Sequence, residues 1–267
     1  MPRILRLALL LSGAILIGLI LTSLLSWNAS AAEFSHERLD RILQATVRGD
    51  RVDYDLLRAK HAAELGTYLR SYDDPALQPQ SWPRAEALCF WINLYNATML
   101  QAVLDRRGEG WNPSRDEFAV FKSPLVRVAG RGISLDDLEH QVIRKLFAEP
   151  RVHVALCCAA RSCPPLKNSA WKPASLEADL AAAMRAFLTD SGRNRIDHRK
   201  KTLHLSELFE WYAADFGGPA AVPSYVAAQL AEPDPEGKAG PSALSGYQVE
   251  FLEYSWELNA APADPKP

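Results

Sequence analysis

The spacing of apolar positions changes several times along this chain, and each change marks an element. "SHERLDRILQATVRG" sets Leu39, Ile42 and Leu43 on one stripe, with Ser35 placed to cap and Gly49 to stop, and predicts a helix. "VDYDLLRAKHAAELGTYLRSY" continues at helical spacing through Leu57, Leu65 and Leu69, and the three prolines of "DDPALQPQSWP" break it. From Arg84 to Arg106 the next helix is apolar on nearly every side (Phe90, Trp91, Ile92, Leu94, Tyr95, Met99, Leu100), which predicts burial. "FAVFKSPLVRVAGRGISL" alternates apolar and polar residues around a Gly-Arg-Gly turn and predicts a hairpin. "SLDDLEHQVIRKLF" is an amphipathic helix capped by Ser134, with Asp136 and Asp137 at the positive end of its dipole.

"RVHVALCC" predicts a short central strand, and the two prolines after Cys163 forbid regular structure beyond it. A helix over 176–188, a hairpin in "NRIDHRKKTLHLS", a helix in "LSELFEWYAADFGG" ended by glycines, a helical "SYVAAQLA" and a closing strand in "YQVEFLEYSWELN" follow. "PDPEGKAGPSALSG" is expected as a flexible loop and 261–267 as a disordered tail. There is no internal repeat or coiled coil. This order predicts an α+β fold over 32–260: a single domain, with helices packed on a small, mostly antiparallel sheet.

Before Ala32 the pattern is different. Arg3 and Arg6 precede an uncharged apolar run from Leu7 to Trp27, and Ala29-Ser30-Ala31 fits a small-x-small exit. Residues 1–31 are therefore either a cleaved secretory signal or, because the run is also long enough to cross a bilayer, a retained N-terminal membrane anchor. Both place the rest of the chain in the periplasm or another extracytoplasmic space. Thirty basic and 32 acidic side chains give a net charge of -2, which excludes an electrostatic footprint for nucleic acid. The longest basic run, His198 to Lys201, is short and predicts a solvated turn.

Chemistry enters where the pattern is interrupted. Asn93 and Asn96 lie three apart on the buried helix and share a face. A buried amide left without partners costs about 1–3 kcal/mol, so both need partners, either loop backbone or a polar site. "LEHQVIR" offers Glu139, His140 and Arg144, and "HVALCCAARSCPPL" offers His153, Cys157, Cys158 and Cys163. Thiol, imidazole, carboxylate and amide together are the parts of a nucleophilic thiol site, in which an imidazole makes thiolate and an amide or carboxylate orients it. On that reading Cys158 attacks, His140 is the base, and Asn93, Asn96 or Glu139 orients it. Arg144 and His153 are the candidate binding residues, although Arg144 fits a structural pairing with Glu139 better. An export compartment equally permits a Cys158–Cys163 disulfide, which would remove the nucleophile or act as a labile redox pair. A zinc site from His153, Cys158 and Cys163 matches no common ligand spacing, and no cofactor is implied.

The segments "FWINLYNA", "LEHQVIR", "RVHVALCCAARSCPPL" and "EYSWELN", in this order, resemble the domain-of-unknown-function 547 family over roughly Val52 to Asn259. Its recurrent positions correspond to Asn93, Tyr95, Asn96, Glu139, His140, Arg144, His153, Cys158, Ser162, Cys163, Pro164, Tyr254 and Trp256. The chain departs at Ser255, where the family carries an aspartate. The resemblance implies kinship and leaves the chemistry open. Two readings compete: an exported thiol-dependent hydrolase or acyltransferase, and a non-catalytic envelope module with a structural disulfide. Either would meet an envelope protein, peptide or glycan. Trp211 and Tyr212 are expected in the core, because aromatic side chains bury so much area.

Overall fold

The computed structural model describes residues 34–106, 108, 110–231 and 244–262. The chain divides into units Met1–Phe34 and Ser35–Pro267; the second is described below. The expected signal or anchor over 1–31, the tail beyond 262 and most of the "PDPEGKAGPSALSG" loop lie outside the described residues.

Helices α1 (Glu37–Thr46), α2 (Tyr54–Leu56), α3 (Ala62–Arg70) and α4 (Arg84–Arg106) form the first half, with a wide π turn at Leu57–His61 joining α2 to α3. His36 holds the N-cap position of α1 without a side-chain cap bond, and Ser35, one residue before it, accepts from the Glu37 N–H through Oγ at 3.4 Å. Between α1 and α2, strands β1 (Val47–Arg48) and β2 (Arg51–Val52) make a minimal hairpin. Gly49 sits at φ +61°, at the first central place of its two-residue turn, where glycine avoids a Cβ penalty.

Helix α4 has its expected limits and is buried on all sides. It is long and apolar enough to cross a membrane, but 89% of its most apolar window lies inside the protein, so it is a core helix. α5 (Ala119–Lys122) takes the place of the first strand expected in "FAVFKSPLV". Strands β3 (Pro124–Val128) and β4 (Arg131–Ser134) pair as predicted. Their turn is Ala129-Gly130, one residue earlier than the Gly-Arg-Gly expectation, with both residues at positive φ (47° and 83°).

The "LEH" helix begins as α6 (Leu135–Asp137), capped by Ser134, widens into a π turn over Leu138–Ile143, and closes as α7 (Arg144–Phe147). The strand expected in "RVHVALCC" is absent. Pro150 and the Glu149 side chain, which accepts from the Arg151 N–H, start a 3-10 helix over Pro150–Val154, and irregular chain follows. A short apolar run does not distinguish a buried strand from a buried turn, and the proline decided it.

α8 (Leu176–Thr189), β5 (Arg195–Asp197), β6 (Thr202–Ser206), α9 (Leu208–Trp211), a 3-10 turn at Ala213–Phe216, α10 (Val222–Leu230) and β7 (Gln248–Leu252) complete the unit. β5 and β6 pair antiparallel, while β7 pairs parallel to β6. The architecture is a single α+β domain, as expected. Its strands form two hairpins and one three-stranded sheet rather than one continuous sheet. A second core lies beneath that sheet, where Met184, Phe187, Leu203, Leu205, Phe209 and Val226 meet.

Candidate functional site

Both asparagines of α4 are fully buried and fully bonded to backbone. Asn93 accepts from the Trp171 N–H and donates to the Trp171 carbonyl, both at 2.9 Å. Asn96 accepts from the Cys157 N–H at 2.9 Å and donates to the Ala155 carbonyl at 2.8 Å. Neither amide meets the His140 ring, so the orienting role expected of them is not the one they hold. Each replaces a missing backbone partner for irregular chain that crosses the core. Asn96 thereby fixes the segment that ends in Cys158.

Further bonds hold that thiol loop. Arg193, which is buried, donates to the carbonyls of Arg161 and Cys163 and pairs with Asp190. The closing segment runs antiparallel to the loop: Ser162 N–H donates to the Ser255 carbonyl, Arg161 N–H to Glu257, and Asn259 N–H to Ala159. Ser255 therefore serves through its backbone and, where the family carries aspartate, does not line the cavity described next. Ala159, at φ +63°, is a non-glycine residue in the left-handed region beside the thiols.

A cavity of about 410 Å³ opens over this loop, lined among others by Tyr95, Glu139, His140, His153, Cys158 and Cys163. Glu139 and His140 are consecutive yet both reach it. The π turn explains this, because a wider turn rotates successive side chains by less than an α-helix does. Glu139 is buried, and that burial lifts its carboxyl above the ordinary value even though the Tyr212 and Tyr95 hydroxyls, His140 and Arg144 favour the charged form. Arg144 does not pair with Glu139 as expected. It forms a two-pronged bond to Asp215 at 2.6 and 3.0 Å, and its third contact, at 2.8 Å, is His140 Nδ1. A guanidinium can only donate, so Nδ1 is the acceptor and the His140 proton is assigned to Nε2. In this arrangement His140 offers a hydrogen-bond donor and not the base expected of it.

Asp215 also accepts from His153 Nε2 at 2.7 Å. Burial alone would raise the Asp215 carboxyl, but the Arg144 and His153 bonds outweigh it and hold it below the usual range. His153 stacks on Tyr212, with ring centroids 3.9 Å apart. Burial lowers its pKa to about 4, with the Asp215 bond acting against the shift. Neither candidate binding residue is open to a ligand: Arg144 is engaged by protein groups and His153 is buried under Tyr212. Because the folded pKa of His153 is below its unfolded value of 6.5, acid protonates the unfolded chain first. Stability is unaffected above pH 6.5 and falls between about pH 6.5 and 4, by about 2 kcal/mol at pH 5. In an NMR titration the His153 ring should stay neutral down to about pH 4; titration near 6.5 would contradict its buried, neutral state.

None of the four cysteines is in a disulfide. Cys158 alone among them is not fully buried, and its Sγ lies 3.2 Å from the Tyr254 hydroxyl. Cys158 and Cys163, the pair whose disulfide was the alternative to a free nucleophile, are free thiols here and meet through a bond from the Cys158 N–H to Cys163 Sγ at 2.8 Å. Burial, with the neighbouring sulfurs, drives the Cys163 thiol well above its usual pKa. Cys157 is lowered, as a partner of the Cys163 thiol, despite its burial. Among the described residues no three His, Cys, Asp or Glu side chains could hold a metal ion, so the zinc alternative has no site.

Several groups escaped the sequence reading. Trp211 is 45% exposed at the cavity and not in the core. Asp215 lies in the mostly apolar stretch "FEWYAADF", where a carboxylate drawn toward the core needs a partner, and that was the available signal. Arg193 and Asn259 carried no local signal.

No curated protein and no solved structure matches the chain. Residues 79–188 match the family model described as "Protein of unknown function, DUF547". That span contains Tyr95, Glu139, His140, His153, Cys158 and Cys163, and over it the chain is similar to the DUF547 family.

Proposed function

We propose that this protein is an exported thiol-dependent hydrolase or acyltransferase that acts on ester or amide bonds in the cell envelope. The observation that carries the reading is the thiol of Cys158, the one cysteine that is not fully buried, facing a cavity that also presents a buried carboxyl and an imidazole N–H. Export rests on the leader-like pattern of residues 1–31.

The roles follow from the environments. Cys158 Sγ forms the bond to the acyl carbon. Glu139, made more basic by burial, receives the thiol proton, and Tyr95, which lies in the field of both Glu139 and Cys158, relays it. Burial drives the Tyr95 hydroxyl well above its ordinary pKa, so it passes the proton while remaining neutral. His140 Nε2–H donates to the carbonyl oxygen as charge develops on it. The leaving amine or alcohol takes the proton back from Glu139, which leaves a thioester on Cys158. Water or an acceptor nucleophile then attacks that thioester and restores the thiol.

Incubating the protein with an activated acyl ester should give a single thioester adduct on Cys158, found by intact-mass and peptide mass spectrometry and absent from Cys158→Ser. Acylation elsewhere, or none, would overturn the reading. A second reading, a non-catalytic module closed by a Cys158–Cys163 disulfide, is favoured by the proximity of Cys158 N–H and Cys163 Sγ. It predicts that crosslink at full occupancy when the protein is digested without reductant.

A further inference from the structure

The mouth of the cavity is walled by aromatic rings whose arrangement core packing does not explain. Trp211 and Trp256 lie nearly parallel, 15° apart with centroids at 5.8 Å, and Tyr254 contacts both, at 4.8 and 4.7 Å. Phe118 meets Trp256 edge to face at 4.8 Å. Phe118 is held at φ +59°, a left-handed conformation that a bulky side chain seldom adopts. Trp211 stays 45% exposed. The wall is continuous with the reacting group, since the Tyr254 hydroxyl is the one that touches Cys158 Sγ. A molecule presenting a carbonyl to that sulfur must lie against these rings.

The polar groups narrow what can lie there. Deep in the cavity, Glu139 is engaged by Tyr212 and Tyr95, and His153 by Asp215. That leaves four polar positions for a ligand: His140 Nε2–H, the Cys158–Tyr254 pair, Lys122 and Asp136. A sugar ring, with a hydroxyl at nearly every carbon, would leave several of those hydroxyls buried without partners. A flat apolar ring needs none, and it matches an apolar pocket that carries a few oriented polar groups.

Building on the thiol chemistry proposed above, we infer that the preferred substrate is an arylacyl compound, one with an aromatic ring close to the scissile carbonyl, such as a peptide cut after an aromatic residue. The ring lies on the Trp211–Trp256 wall while the carbonyl reaches His140 and Cys158.

The test separates ring binding from thiol chemistry. Full-length Cys158→Ser protein, which lacks the thiol, is titrated with the unactivated amides phenylacetamide and acetamide and with N-acetylglucosamine by ligand-observed NMR. Phenylacetamide should bind at least tenfold more tightly than either control, and adding Trp211→Ala should remove most of that preference. Trp211 is half exposed, so that variant should keep the parent melting temperature; Trp256→Ala provides a second. A preference below threefold, or one unchanged in both tryptophan variants, overturns the inference, as does tighter binding of the sugar. In wild type, acylation of Cys158 by p-nitrophenyl acetate as readily as by p-nitrophenyl phenylacetate would sink the arylacyl preference and leave the thiol reading intact. If neither ester acylates Cys158, the thiol reading fails, and the amide titration still decides ring binding.

Discussion

Replacing Asn96 by alanine should lower the unfolding free energy by about 3–5 kcal/mol, since it leaves two buried backbone groups, the Cys157 N–H and the Ala155 carbonyl, without partners at about 1–3 kcal/mol each, and adds a small cavity. The measurement is a urea unfolding curve with an unchanged slope and a shifted midpoint. Asn93→Ala should cost a similar amount, because its two partners on Trp171 are equally buried. The two variants should differ in thiol chemistry. Only Asn96 holds the loop that carries Cys158, so below the unfolding transition Asn96→Ala should also slow acylation of Cys158, while Asn93→Ala leaves it near wild type. Equal effects on acylation would mean that the α4 amides act only through global stability.

Glu139→Gln should slow acylation of Cys158 by about 100- to 10,000-fold, the range general-base catalysis contributes. The side chains are close in size, and glutamine can still meet the Tyr95 and Tyr212 hydroxyls, so the melting temperature should not fall. It should even rise slightly at neutral pH, because a buried carboxylate is replaced by a neutral amide. The pH profile is the more specific readout. A base works only when deprotonated, so the wild-type rate should fall as pH drops through the Glu139 pKa, at a value above the ordinary carboxylate range. In Glu139→Gln that acid limb should vanish. An unchanged limb would assign it to another group and remove Glu139 from the mechanism.

The site was partly legible before any coordinates. Glu139 and His140 of one π turn and Cys158 of a separate loop line one cavity, and their residue types alone raised the expectation. The roles were not legible. His140 was expected as a base, but its ring is turned by Arg144, and Arg144 is in turn held by Asp215, 71 residues further on. A tautomer depends on which atom faces the ring, and sequence spacing carries no information about a partner on another element. Trp211 was misplaced for a related reason. Large aromatic side chains are usually buried, and only the shape of the neighbouring surface shows that this one flanks an opening.

Local rules were enough for α4, for the Ser134 cap, for the β3–β4 and β5–β6 hairpins, and for the two buried amides that had to be satisfied. These follow from interactions within a few residues, or from burial that any compact fold would impose. Tertiary structure alone decided that "RVHVALCC" turns instead of extending, that β7 runs parallel to β6, and that the amides serve backbone and not an imidazole. Those outcomes depend on contacts between distant segments, where several local conformations are nearly equal in energy and the packing partner selects one.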